Sequence, residues 1–197
     1  ARLIAQANWN QVDDDWRCFV ARGTAYAVES PGAGVIATAA TLPYEGVAWI
    51  SMVLVDLAWR RRGIARMLID RCTREVAASG RIPVLDATPA GRTVYAGMAF
   101  RDVWVMQRWA RGTAVPGAGA MPGVRPLCTD DLDAVAALDA QAFGAVRRWL
   151  IGSLAARSTA FAAVVECDGE LRGALLGRVG RVATQLGPIV ALVEDDA

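Results

Sequence analysis

The residues best suited to chemistry fall in one stretch, 50–69, where an apolar strand gives way to a turn of arginine and glycine and then to a helix. Val53, Leu54 and Val55 close the strand; Arg60, Arg61, Arg62 and Gly63 make the turn; Ile64, Ala65 and Arg66 open the helix. A helix N-terminus carries unpaired amides and a partial positive charge, so it attracts anions. Gly63 lets the backbone approach a ligand closely, and Ala65 keeps the next contact small. The arginines add full charges whose forked donors match phosphate oxygens. One dipole contact is worth only about 0.3–2 kcal/mol, so binding must come from several amides acting together with arginine. The chemistry favoured is capture of a phosphate-bearing anion.

Composition excludes several other chemistries. The chain of 197 residues has 21 basic residues, all arginine, against 20 acidic ones, with no histidine and a net charge of +1. Without histidine there is no Ser-His or Cys-His nucleophile pair and no common zinc ligand. Chemistry here must run on carboxylates, tyrosine, cysteine, arginine and backbone groups. Cys18, Cys72, Cys128 and Cys167 are scattered with no close-spaced pair, which argues against a bound metal and for small buried thiols. Near-neutral charge and arginines without a wider basic or aromatic patch predict no nucleic-acid partner. The longest apolar run, residues 47–55, is far below the roughly 18 residues of a membrane span, so no membrane association and a cytoplasmic location are expected.

The elements that must hold the turn can be read on either side of it. Residues 13–20 form a short helix whose first turn, Asp13, Asp14 and Asp15, suits the helix dipole. Residues 24–28 and 34–42 read as strands around Ser30-Pro31-Gly32, and residues 47–55 as a central strand covered on both faces. From Ile64 the apolar positions Met67, Leu68, Cys72 and Val76 follow helical spacing until Gly80. Residues 82–85 are a short buried strand. Thr88 caps a helix that begins at Pro89 and passes Tyr95, and residues 103–109 can supply a last strand. Strands alternating with helices predict an α/β sandwich with a mixed, largely antiparallel sheet.

Residues 112–123, rich in glycine, proline and alanine, read as a linker, dividing the chain into 1–111 and 124–197. The second part repeats the first: a short strand at 124–127, a helix with Leu132, Val135 and Ala136 inward, a helix with Val146, Trp149 and Leu150, strands around Cys167-Asp168-Gly169, and a strand at 186–193. Thr24-Ala25-Tyr26-Ala27 echoes Thr159-Ala160-Phe161-Ala162, and Val55-Asp56 echoes Val193-Glu194, which predicts a tandem duplication. The first copy opens inside a helix without a counterpart of strand 124–127, and the second stops where the first has its arginine turn. The natural product is therefore expected to extend past both ends, with one coenzyme site within residues 1–197.

Arg60-Arg61-Arg62-Gly63-Ile64-Ala65 resembles the pyrophosphate turn of the GNAT superfamily of N-acetyltransferases, Arg/Gln-x-x-Gly-x-Gly/Ala. A second resemblance follows about 30 residues on, where residues 88–100 keep Pro89, Tyr95 and Phe100 of that family's later helix, with Thr88, Gly91 and Ala99 replacing its asparagine, alanine and glycine. Both motifs cover most of residues 8–111, and the second part resembles an incomplete GNAT-like unit. The resemblance implies transfer of an acetyl group from acetyl-CoA to a primary amine, on a small molecule or peptide, by direct attack in a ternary complex. It implies that Val53, Leu54 and Val55 offer backbone to the pantetheine arm and that residues 60–66 hold the pyrophosphate. It also implies that Tyr95 returns a proton to the departing thiolate, and it admits a homodimer. Glu45, Asp86 and Glu29 stand at strand ends as candidate bases, while Trp9, Asn10 and Gln11 sit where the family's acceptor pockets are often lined. A non-catalytic acyl-CoA-binding or partner-binding module is the alternative function.

Overall fold

A computed structural model describes residues 1–112, 119, 121–157 and 161–192. In chain order it contains α1 (Arg2–Gln6), α2 (Asp13–Arg22), β1 (Thr24–Ser30), β2 (Gly34–Pro43), β3 (Val47–Val55), α3 (Ile64–Ala78), β4 (Ile82–Val84) and α4 (Pro89–Ala96). There follow β5 (Val124–Pro126), α5 (Leu132–Phe143), α6 (Arg148–Arg157), β6 (Ala163–Cys167), β7 (Glu170–Val179) and β8 (Thr184–Ala191). Chain compactness separates a small unit, Asp86–Pro122, from a larger one joining Ala1–Leu85 with Gly123–Ala197. Among the described residues no helix is long and apolar enough to cross a membrane.

The larger unit is built on two sheets, ordered β1-β2-β3-β4 and β5-β6-β7-β8. All neighbours are antiparallel except β3 and β4. β2 is buried over most of its length, and β3 buries Ala48, Ile50, Met52 and Leu54 while its other face is half-buried. Helix α3 presents Leu68, Ile69, Cys72 and Val76 to the core. Met67, expected inward, is 52 % exposed and Ile69 takes its place. At roughly 100° per residue, Met67 falls on the side opposite the stripe centred between Leu68 and Ile69. In the second half Val135, Ala136, Ile151 and Leu154 form the core with Val164, Ala174 and Leu176. Leu132 and Leu150 pack against it, whereas Val146 is exposed because it precedes α6 and escapes its periodicity.

The duplication is visible in the ladders. In the first sheet the register slips between Thr38 and Ala40, leaving Met52 and Val53 opposite Ala39; in the second it slips between Leu175 and Gly177, leaving Gly187 and Pro188 opposite Leu176. Met52 and Gly187 each have positive φ, 55° and 145°. These equivalences place Val28 with Val164 and Val55 with Val190, so the sequence echoes sit one and three residues out of register. Thr159, Ala160, Val193 and Glu194 themselves lie outside the described residues, as does most of the linker.

The two halves of this unit meet across an aromatic group, Tyr44 and Trp49 against Phe143, with ring centroids 4.9 and 5.9 Å from Phe143. Arg147 stacks on Phe143 and forms a two-pronged pair with the buried Asp139. Asp15 draws Arg157 and Arg178 from the second half to 2.9 and 3.2 Å. A charge so enclosed is stable only when paired.

In the small unit Thr88 caps α4 by accepting the Gly91 amide at 3.1 Å, and Arg92 grips Asp102. Residues 103–109, expected as a strand, form none; Val105 and Trp109 are 90 % and 87 % exposed. Apolar alternation favours a strand only where a partner ladder takes up the backbone donors and acceptors. Among the described residues of this unit there is no strand to pair with.

Helix α2 ends at Gly23, where a Cβ would lie 1.9 Å from the Thr41 carbonyl oxygen. The approach locks α2 onto β2, and no side chain fits. Gly23→Ala is expected to destabilise the fold by about 1–3 kcal/mol in urea denaturation; an unchanged midpoint would reject the close approach.

Candidate functional site

β3 is both a core strand and the floor of the site. Its ladder with β4 pairs Val47 with Ile82, Ala48 with Pro83 and Trp49 with Val84, and goes no further, although β3 runs on to Val55. The two strands therefore part, and the β3 backbone from Ile50 onward is released from β4. The register slip to β2 falls on this same stretch. Met52 takes a left-handed conformation that ordinarily costs a non-glycine residue of order 1–3 kcal/mol. The Thr38 hydroxyl donates to the Met52 carbonyl at 2.9 Å and helps hold it. Val53 and Val55 are half-buried, whereas the Leu54 side chain belongs to the core, so Leu54 has only its backbone to offer.

Asp56 ends the strand and organises the turn. It is 5 % exposed, and its carboxylate accepts the Ala58 amide at 2.9 Å, capping a single 3-10 turn, Leu57–Trp59. Arg2 pairs with the same carboxylate, the Gln6 amide donates to it at 3.1 Å, and Arg2 also reaches the Val35 carbonyl at 2.7 Å. Helix α1 is thereby tied to the start of the turn.

Two arginines then fold back on the turn itself. Arg60 donates to the Val55 carbonyl at 3.2 Å; Arg62 donates to the Ala58 carbonyl at 3.2 Å and stacks 4.8 Å from the Trp59 ring centre. Arg61 and Gly63 have positive φ, 61° and 76°, so left-handed residues flank Arg62. Such alternation curls the backbone and draws successive amides toward one concavity. The first intrahelical bond of α3 runs from the Met67 amide to the Gly63 carbonyl, leaving the amides before it unclaimed by the helix. A Cβ at Gly63 would meet nothing within 4 Å, so the space in front of the helix is open. Arg61 and Arg66 are exposed at its rim, Arg66 standing 4.0 Å from Asp70. An open helix N-terminus with unclaimed amides and flanking guanidinium groups fits a pyrophosphate. Residues 53–55 and 60–66 thus follow one another along the end of β3, the turn and the start of α3.

Tyr95 belongs to the small unit. Its ring lies against Gly91, where a Cβ would come 3.0 Å from the tyrosine ring, and 6.1 Å from that of Phe100. Burial raises its hydroxyl pKa above the ordinary value, so the group keeps its proton at neutral pH. Glu29, Glu45 and Asp86 are all exposed. Asn10 makes different contacts from those expected of an acceptor pocket. Its amide oxygen accepts from Val182 and Ala183, and its amide nitrogen donates to the Ala183 carbonyl.

The thiols divide. Cys72 is buried, and desolvation pushes it up to about 11, whereas Cys128 and Cys167 are exposed, contrary to the expectation of buried thiols. Cys128 lies beyond β5 and Cys167 ends β6, so neither sits within an apolar periodicity. Among the described residues no three candidate metal ligands gather.

Two contributors escaped the sequence. The bulge at Met52 has no local signal, because it is a mismatch between two strands. Asp56 had one: an aspartate whose side chain can accept an amide two residues on.

Family comparison agrees with this geometry. Residues 4–96 match the model of the acetyltransferase (GNAT) family, and residues 135–197 match that of an acetyltransferase (GNAT) domain. The chain belongs to the GNAT family, in tandem form. Among solved structures, a Pyrococcus horikoshii protein with a provisional acetyltransferase assignment shares the fold with a TM-score of 0.58 and 21 % identity. The match covers 81 % of this chain and 53 % of that one, so this chain spans about half the length of that neighbour. A Trypanosoma brucei acetyltransferase matches at 18 % identity and TM-score 0.43, covering 50 % of this chain and 74 % of that one. A GCN5-related N-acetyltransferase from Ralstonia eutropha matches at 26 % and 0.41, covering 50 % and 73 %. No curated protein matches. GNAT membership makes acyl transfer the class of chemistry.

Asp56→Ala is expected to lower unfolding free energy by about 1–2 kcal/mol through the lost cap, measured in urea. An unchanged stability would show that the turn closes without it.

Proposed function

We propose that this GNAT chain transfers an acetyl group from acetyl-CoA to the primary amine of a small molecule or peptide, by direct attack in a ternary complex. The observation that carries the reading is the β3 strand, which leaves β4 after Trp49 and runs through the Met52 bulge into an arginine-fronted helix N-terminus. Bound acetyl-CoA would supply a thioester carbonyl open to attack by an amine. On this reading the backbone of Val53, Leu54 and Val55 receives the pantetheine arm. Residues 60–66 receive the pyrophosphate, by amides and by the exposed guanidinium groups of Arg61 and Arg66. The Val53 amide, just after the bulge, stabilises negative charge on the carbonyl oxygen, a contribution commonly worth about 3–4 kcal/mol. Tyr95 gives its proton to the departing thiolate, a role that a raised pKa suits. The boundaries 1–111, 112–123 and 124–197 are retained as functional divisions.

Acetyl-CoA at about 100 times its dissociation constant should stabilise the protein by roughly 2.7 kcal/mol in thermal denaturation. No shift at millimolar acetyl-CoA would defeat the reading. Thiol release measured over a panel of amines then tests turnover.

Tyr95→Phe should lower turnover by roughly 10²–10⁴ while leaving acetyl-CoA affinity within a factor of two or so. In the wild type, activity should fall as pH rises through the tyrosine pKa, which lies above its ordinary value of 10.0, because an acid must hold its proton. Undiminished turnover in the variant would remove Tyr95 from the reaction.

A further inference from the structure

The two copies differ at the one position where the sheet geometry makes them most alike. Met52-Val53 and Gly187-Pro188 occupy the same bulge, each pair facing a single residue of the middle strand, Ala39 or Leu176. In the first copy the residue after the left-handed position is Val53, with an amide hydrogen to donate. In the second it is Pro188, which has none. The donor assigned to the carbonyl oxygen in the first copy is therefore absent from the second.

The hairpin turn just before β8 is instead committed to the first copy. Asn10, between α1 and α2, seats its side-chain amide on this turn, accepting from the Val182 and Ala183 amides at 2.8 and 3.0 Å and donating to the Ala183 carbonyl at 2.9 Å. The Arg181 amide returns a bond to the Asn10 carbonyl at 3.1 Å. The Arg181 guanidinium holds the Trp9 carbonyl at 2.9 Å and the Asn8 side chain at 2.8 Å. Gly180 makes the fit: a Cβ there would lie 2.3–2.5 Å from three atoms of the Asn10 amide. Trp9, fixed through its carbonyl, packs against the cluster of Leu3, Ile4, Ala40, Met52 and Leu54. That cluster holds the side chain of the bulge residue. A connected path thus runs from the turn of the second copy, through Asn10 and Trp9, to Met52.

We propose that the second GNAT copy acts as a brace for the first copy's β3 bulge rather than as a second acyl-transfer centre, with Asn10, Gly180 and Arg181 as positioning residues. The catalytic part of this proposal rests on the acetyl-transfer reading above; the mechanical part does not. A left-handed methionine relaxes unless the surroundings over-determine it. Close packing transmits a displacement at Trp9 to its neighbours.

Gly180→Ala tests the proposal, because it changes no residue of the first copy and its Cβ would strike the Asn10 amide first. Three measurements are made on the full chain. Hydrogen exchange of the 50–55 segment is expected to quicken several-fold. Turnover in the thiol-release assay is expected to fall roughly ten- to a hundred-fold, the scale of a misplaced reacting geometry, with acetyl-CoA affinity unchanged. Arg181→Lys, which keeps a cationic donor to the Trp9 carbonyl, should lose less than Arg181→Ala. Unchanged exchange in the 50–55 segment, whether or not Gly180→Ala unfolds more readily, would overturn the brace. Should the wild type turn over no amine, the acetyl-transfer reading fails, and the exchange measurement still decides the brace. Titration with acetyl-CoA should saturate at one equivalent per chain; two equivalents would overturn the non-catalytic role of the second copy.

Discussion

The structure depends on β3 serving two incompatible roles. A central strand must pair on both edges and bury its side chains, while the ligand-facing strand proposed here must keep backbone donors available. The conflict is resolved by one extra residue. At Met52 and Val53 the ladder to β2 slips and the ladder to β4 has already ended, yet Met52 and Leu54 remain in the core. Strain at a single left-handed residue is thus exchanged for a strand that is packed on one side and open on the other.

Around that strand the polar contacts fall into a hierarchy. Asp56 is buried and triply engaged, so it fixes where β3 stops and the turn begins. Arg60 and Arg62 close the turn on its own carbonyls, while Arg61 and Arg66 make no such bond to it, although all four are exposed. Four arginines that look alike in the sequence thereby divide into two that shape the turn and two whose guanidinium groups are not spent on it. Guanidinium suits both tasks, since its planar fork serves carbonyl oxygens and phosphates equally well. A similar division appears between the copies, where Arg157, Arg178 and Arg181 reach from the second to Asp15, Trp9 and Asn8 of the first.

The duplicated architecture shows how a copy can keep its fold while the residues at a shared bulge change. Both sheets have the same strand order and carry the bulge at the same place, where it bends the strand and increases the local twist. Proline is tolerated at that point in the second copy because a bulge residue need not donate to the ladder. The fold therefore survives a change that removes the donor.

Much of this was legible in the residues themselves. The apolar run of β3, the stripe of α3, the Thr88-Pro89 start of α4 and the arginine-glycine turn follow from local periodicity and capping, which depend on near neighbours in the chain. The tandem duplication was legible too, although its register was not, since four-residue echoes drift where ladders do not. What only the tertiary structure decided are the features made by two distant segments at once. The Met52 bulge needs β2, the seat of Asn10 needs Gly180, the close approach at Gly23 needs Thr41, and residues 103–109 fail as a strand for want of a partner. Each is a relation between surfaces that sequence spacing does not encode, which is why the turn could be read from the sequence and its support could not.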